Sequence, residues 1–121
     1  RRNDPRGVDA WAKYDNIVDL AYEYDVQVVA RLTSPPAWTR RDGNARGAFA
    51  PPDDLADYAD FVEAVLRRYK GRLRFLQVWN EPNLGPTADI PYWKGTNEQL
   101  IDLSRRLFAP ERMSTTAIGP A

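Results

Sequence analysis

The sequence predicts an α/β fold built on a parallel sheet. Stretches with apolar residues at steps of three and four alternate with shorter runs rich in β-branched and apolar residues, and Pro or Gly punctuates the boundaries. Helical and extended periods that alternate in this way imply crossover connections, and crossovers join parallel strands. At 121 residues the chain holds one domain at most.

Residues 1–8 are polar, contain Asp4, Pro5 and Gly7, and read as a loop. Trp11, Tyr14, Ile17, Val18 and Ala21 then recur at helical spacing with Asp9 placed to cap the first turn, so a helix is expected over 10–24. Val26, Val28, Ala30 and Leu32 alternate with Gln27, Val29 and Arg31, which predicts a strand over 26–32 that Ser34-Pro35-Pro36 must end. The loop that follows runs to Pro51-Pro52, and its length invites a functional role, because long irregular connections are uncommon in compact domains. Within it Arg40-Arg41 and Asp42-Gly43-Asn44 read as a mobile turn.

The clearest helix comes next. Leu55, Tyr58, Ala59, Val62, Val65, Leu66 and Tyr69 form one stripe, Asp53 and Asp54 suit its positive end, Arg67, Arg68 and Lys70 suit its negative end, and Gly71 stops it. A mostly apolar strand is expected over 73–79. After a loop containing Gly85, Pro86 and Pro91, Thr96 with Gln99 makes a capping box for a helix that carries Leu100, Leu103, Leu107 and Phe108 on one side. A short last strand is expected over 115–118.

Composition narrows the chemistry. The 17 Lys plus Arg balance the 17 Asp plus Glu, which argues against a nucleic-acid partner. With no His and no Cys there is no thiol nucleophile, no imidazole base and no zinc-type site. No apolar run approaches the roughly twenty residues of a membrane span, and the chain does not open with a signal-peptide pattern. Carboxylates, hydroxyls, amides and aromatics remain.

In parallel α/β architectures, function gathers where strands end at their C-terminal edge. Here those places are 33–38 and 80–85, and no glycine-rich phosphate cradle follows either full strand. The second place reads Trp79-Asn80-Glu81-Pro82-Asn83. A carboxyl group at the end of a buried strand, beside an amide and an indole and before a proline that turns the chain out of the sheet, is placed to act on a ligand. Burial beside Trp79 would penalise the ionised form of Glu81 and suit it to general acid work, and Asn80 could bond a hydroxyl next to the reacting carbon. Strict alternation, however, puts Trp79 and Glu81 on one face and Asn80 on the other. For Asn80 and Glu81 to meet one ligand, the strand must bulge or end there.

Trp79-Asn80-Glu81-Pro82-Asn83 resembles the Asn-Glu-Pro signature of the clan A retaining glycoside hydrolases, which are TIM barrels. Other landmarks are similar in order: Tyr14-Asp15-Asn16-Ile17-Val18, Ser34-Pro35-Pro36-Ala37-Trp38, Asp57-Tyr58-Ala59-Asp60-Phe61-Val62 and Arg68-Tyr69-Lys70-Gly71. Together they look most like the β-xylosidase-type and exopolysaccharide-cleaving members of family 39, over nearly the whole chain up to Trp93. The resemblance implies that residues 1–121 are a fragment of a single glycoside hydrolase catalytic barrel, a partial (β/α)8 TIM barrel from about strand 3 to strand 5. It implies that Glu81 is the catalytic acid/base and that Asn80 holds the sugar 2-hydroxyl. It implies further an oligosaccharide or polysaccharide substrate with β-linked sugars and no cofactor or metal; members of the family are often exported, which suggests an extracellular or periplasmic place and leaves the location itself open.

The family's nucleophile, a glutamate at the end of strand seven, is not in this chain. A barrel takes roughly 250 residues, and a retaining mechanism needs two carboxyl groups about 5 to 5.5 Å apart. Glu23, Glu63, Glu98 and Glu111 all fall in helices or at a helix end, so this chain carries half of an active site and is expected to be inactive and marginally stable alone. Trp38 and Trp93 are expected to bind substrate by stacking, whereas Trp79 and Tyr92 fit either a sugar wall or a core. Arg31 ends the first strand and could reach a substrate hydroxyl or a carboxylate, but the expected role is an ion pair inside the sheet. The acidic stripe of Asp53, Asp57 and Asp60 reads as a solvated face, and the basic cluster from Arg67 to Arg74 as a helix end. The rival reading is a non-catalytic carbohydrate-binding or scaffold protein derived from the barrel.

Overall fold

The structure, a computed structural model, describes residues 10–82 and 93–108. The elements run α1 (Ala12–Glu23), β1 (Val29–Leu32), a short 3-10 helix (Ala37–Thr39), α2 (Leu55–Arg68), β2 (Phe75–Val78) and α3 (Asn97–Leu107). β1 and β2 pair in parallel, with Val29 opposite Phe75 and Leu32 opposite Val78. The described chain is therefore mixed α/β, with a two-stranded sheet and three α-helices. The last strand expected over 115–118, the Asp9 cap, Asn83 and Tyr92 lie outside the described residues.

Each helix forms for local reasons, and so does each boundary. Asp54 caps α2, its side chain accepting from the Ala56 amide at 2.9 Å. Thr96 and Gln99 make the expected reciprocal box at the start of α3, with bonds of 2.8 and 3.1 Å. α1 starts at Trp11 without a side-chain cap. Its end explains why β1 is shorter than alternation suggested. Asp25 takes the left-handed conformation at φ 55°, its amide donates to the Tyr22 carbonyl, and the Val26 amide donates to the Ala21 carbonyl at 2.7 Å. Those two bonds close a Schellman motif, so the Val26 amide caps a helix instead of joining a ladder.

Gly71, at φ 83°, turns the chain after α2, and the Arg72 and Leu73 amides both donate to the Tyr69 carbonyl at 2.9 Å.

Helices cover one face of the sheet. Leu32, Leu76 and Val78 pack against Leu55, Tyr58, Ala59 and Val62 of α2 and Leu103 and Leu107 of α3. Leu103 is completely buried, a contribution of about 1.5–3 kcal/mol for such a side chain. A second cluster joins Val18 of α1 to Val65, Tyr69 and Leu73. The other face carries Val29, Arg31, Phe75 and Gln77, all exposed, with Val29 63% and Phe75 50% accessible.

Polar ties hold the periphery. The Arg68 guanidinium donates twice to Asp15, Tyr69 donates to the same carboxylate at 2.9 Å, and the Arg68 bond holds Asp15 down to about 2 from its ordinary 3.8. Arg67 pairs with Glu63 and Arg72 with Asp19, so three members of the basic cluster are ion-paired. The segment read as a mobile turn is instead cross-linked. Arg40 is only 4% accessible and donates to the carbonyls of Pro35, Gly43 and Ala50 and to Asn44 Oδ1 at 2.7–3.2 Å. A guanidinium has donors in several directions and no acceptor, so one buried arginine can gather carbonyls from both ends of a loop.

Candidate functional site

The site lies at the C-terminal edge shared by β1 and β2. The Trp79 amide still donates to the Leu32 carbonyl at 3.0 Å, one residue past the end of β2. Regular strand then stops, because Trp79 takes φ 60° and Glu81 φ 41°. Two non-glycine residues in the left-handed region within three positions cost on the order of 1–3 kcal/mol each, and such outliers cluster at ligand sites. The interruption that a shared ligand would require is thus present.

Its effect is to sort side chains between the two faces. Left-handed Trp79 turns its indole to the helix side, where it is fully buried, tilted against the Tyr58 ring at 5.6 Å and edge-on to Trp93 at 5.0 Å. Asn80 goes the other way, its Oδ1 accepting from Arg31 Nη1 at 3.0 Å. Arg31 belongs to the exposed set of β1, so this bond puts the Asn80 amide on the open face. Glu81 follows, exposed and held before Pro82.

Three expectations change with this geometry. Glu81 is exposed, not buried beside Trp79, because the inversion at Trp79 separates the indole from the carboxylate that follows it. Trp93 is 5% accessible and its Nε1 donates to the Thr96 carbonyl at 3.1 Å. It fills the core between Trp79 and the start of α3, so the stacking platform expected from its loop position is not offered there. Gly95 shows how tight the packing is: a Cβ at that position would meet Pro51 Cγ, Trp93 Cζ2 and Gln99 Oε1 at 2.8 Å. Arg31 bonds the Asn80 amide where an ion-pair partner was expected. Trp38, in the 3-10 helix after β1, is 63% exposed.

The sequence places Tyr58 in the apolar stripe and in one of the landmarks of the resemblance, and gives its hydroxyl no partner. Its hydroxyl donates to the Leu32 carbonyl at 2.6 Å, and burial pushes that phenol up to about 12. Leu32 thereby accepts from both Tyr58 and the Trp79 amide, which ties the edge of β1 to α2 and to the start of the site. The signal available beforehand was the hydroxyl itself, since a buried tyrosine needs an acceptor. Thr33, the residue after β1, has a buried hydroxyl oxygen without a hydrogen-bond partner.

Among the described residues the remaining glutamates lie on helices, Glu23 on α1, Glu63 on α2 and Glu98 on α3. No group of three or more His, Cys, Asp or Glu among them is placed to hold a metal ion, and no described helix is long and apolar enough to cross a membrane. At this edge the structure brings together the oriented Asn80 amide and the exposed Glu81 carboxylate, while Trp38 is an exposed indole on the segment that follows β1.

The chain is 30% identical over 100 residues to a β-xylosidase of Caldicellulosiruptor saccharolyticus, a match that covers 74% of this chain and 20% of that protein. The chain thus spans about a fifth of the length of the curated relative it matches. No family model matches the chain, and no solved structure matches it. The similarity points to a relationship with the glycoside hydrolases.

Proposed function

We propose that this chain is part of a (β/α)8-barrel glycosidase that cleaves β-linked sugars with retention, as in clan A and its family 39, and that Glu81 is its acid/base. In this reading the open face of the sheet, with Val29, Arg31, Phe75 and Gln77, looks into the barrel, and α1, α2 and α3 form part of the outer ring. The observation that carries the proposal is the pair of left-handed residues at the strand edge, which brings Asn80 to the open face and leaves the Glu81 carboxyl exposed beside it. The resemblance around Trp79 to Asn83 and the similarity to a β-xylosidase support the same reading.

The chemistry assigns each group a task. Protonated Glu81 gives its proton to the glycosidic oxygen as the bond to the anomeric carbon breaks, while a second carboxylate forms an ester with that carbon. Glu81, now ionised, takes a proton from the water that displaces the ester, and the enzyme returns to its starting state. Asn80 donates to the hydroxyl next to the reacting carbon, and Trp38 offers a face on which a pyranose can stack. The other described glutamates are all borne on helices, not at a strand end, so the proposal assigns the second carboxylate to another strand of the barrel. Substrates that fit are xylosides, glucans or exopolysaccharides.

Full-length protein carrying Glu81→Gln tests the acid/base role. With alkyl glycosides or xylo-oligosaccharides, whose leaving groups need a proton, turnover should fall about 10²–10⁴-fold. With aryl glycosides that leave readily, the loss in the bond-breaking step should be far smaller. Equal losses on both would remove Glu81 from that role. Oligosaccharide binding without turnover by the wild type would favour the carbohydrate-binding alternative.

A further inference from the structure

We propose that Arg31 is a positioning residue for Asn80, fixing which end of the amide faces the ligand. The inference rests on the reading of Asn80 as the group that meets a sugar hydroxyl. An asparagine side chain is nearly symmetric in shape, and its oxygen and nitrogen can exchange places by a half-turn. Arg31 removes that freedom. A guanidinium only donates, so the atom of Asn80 that lies 3.0 Å from Arg31 Nη1 has to be the oxygen. The amide nitrogen is left with its two protons directed away from Arg31. The ligand then meets a donor, which requires an oxygen acceptor such as a sugar hydroxyl.

Two features make Arg31 fit this task. It stands on β1 directly opposite Gln77 of β2, one residue before the last paired position of the sheet, so its backbone is held by the ladder. The bond spans 49 residues of sequence and joins the two strands on the open face, where neither helix packing nor the buried aromatic cluster competes for the guanidinium. A charge-assisted bond of this kind is stronger than a neutral one, and small errors in the placement of a substrate-binding group are amplified in the rate.

The experiment is a double-mutant cycle in the full-length protein with Arg31→Met, Arg31→Lys and Asn80→Ala, using an aryl β-xyloside and its 2-deoxy analogue. Arg31→Met should lower kcat about tenfold or more with KM little changed, since the contact to the 2-hydroxyl strengthens in the transition state. It should add nothing further in the Asn80→Ala background or on the 2-deoxy analogue. Arg31→Lys, which keeps a donor without an acceptor, should recover part of the loss. Additive losses would overturn the proposal by showing that Arg31 acts on substrate directly. A second readout does not depend on turnover: the side-chain NH2 signals of Asn80 should shift and lose order in Arg31→Met, and unchanged signals would also overturn it. An inactive wild type would count against the glycosidase reading alone, with the amide signals still deciding the role of Arg31.

Discussion

The two faces of one small sheet differ more than their sequences suggest. On the helix side Leu32, Leu76 and Val78 meet α2, α3 and the buried Trp79, Tyr58 and Trp93. On the open side Val29 and Phe75 are half or more exposed, next to Arg31 and Gln77. The packed face holds the strand edge in place, and the open face displays the groups that can meet a ligand. What joins the two roles is the backbone of Trp79, which moves an aromatic ring to the packed side and passes Asn80 to the open side. The difference teaches that a site can be built by interrupting alternation as well as by following it.

Substitutions in the full-length protein can break or sharpen this contrast. The largest effect is expected for Trp79→Ala. Removing a fully buried indole between Tyr58 and Trp93 should cost about 3–5 kcal/mol, read as a lower urea midpoint. A cost below about 1 kcal/mol would mean that the aromatic cluster does not hold the edge.

Tyr58→Phe comes next, with an expected loss of about 1 kcal/mol for the bond to the Leu32 carbonyl. Its pH dependence has a definite sign. The folded-state value, raised by burial to about 12 from an ordinary 10, means that the neutral phenol is favoured by folding. That stability is complete below pH 10 and is lost as pH rises through 12, so the wild type should weaken across this window and Tyr58→Phe should remove that part of the decline. Absorbance at tyrosinate wavelengths during alkaline titration checks the assignment.

The smallest effect is expected on the open side. Glu81→Gly should leave the unfolding free energy unchanged or raise it by up to about 1 kcal/mol, read from the urea midpoint, because glycine accepts the left-handed backbone that glutamate occupies at φ 41°. On the proposed reading the same variant loses the acid/base. A midpoint that falls as far as it does for Trp79→Ala would erase the distinction between the faces.

Much of the scaffold was legible because its causes are local. The stripe of Leu55, Tyr58, Ala59 and Val62 and the capping box of Thr96 with Gln99 are patterns of residues within a turn or two of one another. The punctuation of β1 by Ser34-Pro35-Pro36 is equally local, and Ser34 indeed leaves the strand region at φ 58°. The site was legible only in part. Asn80 and Glu81 could be singled out from their place at a strand end, and the need for an interruption followed from the period of two. The exposure of Glu81 and the burial of Trp93 could not be read, since they follow from where the Trp79 ring goes. Arg40 looked like half of a charged turn because its partners are carbonyls at Pro35, Gly43 and Ala50, which carry no sequence signal.

By itself the sequence determined the alternation of helices and strands, the caps that bound α2 and α3, and the chemical identity of the groups at the strand edge. Hydrophobic period, capping and turn chemistry act over a few residues, so they are written in composition and spacing. Only the tertiary structure decided which face each of those groups occupies. Trp79 is held left-handed among Tyr58, Trp93 and the Leu32 carbonyl, and Asn80 is met by an arginine from the neighbouring strand. Those partners are distant in sequence and become neighbours only when α2 and α3 pack on the sheet, where the burial of an indole outweighs the strain of its backbone.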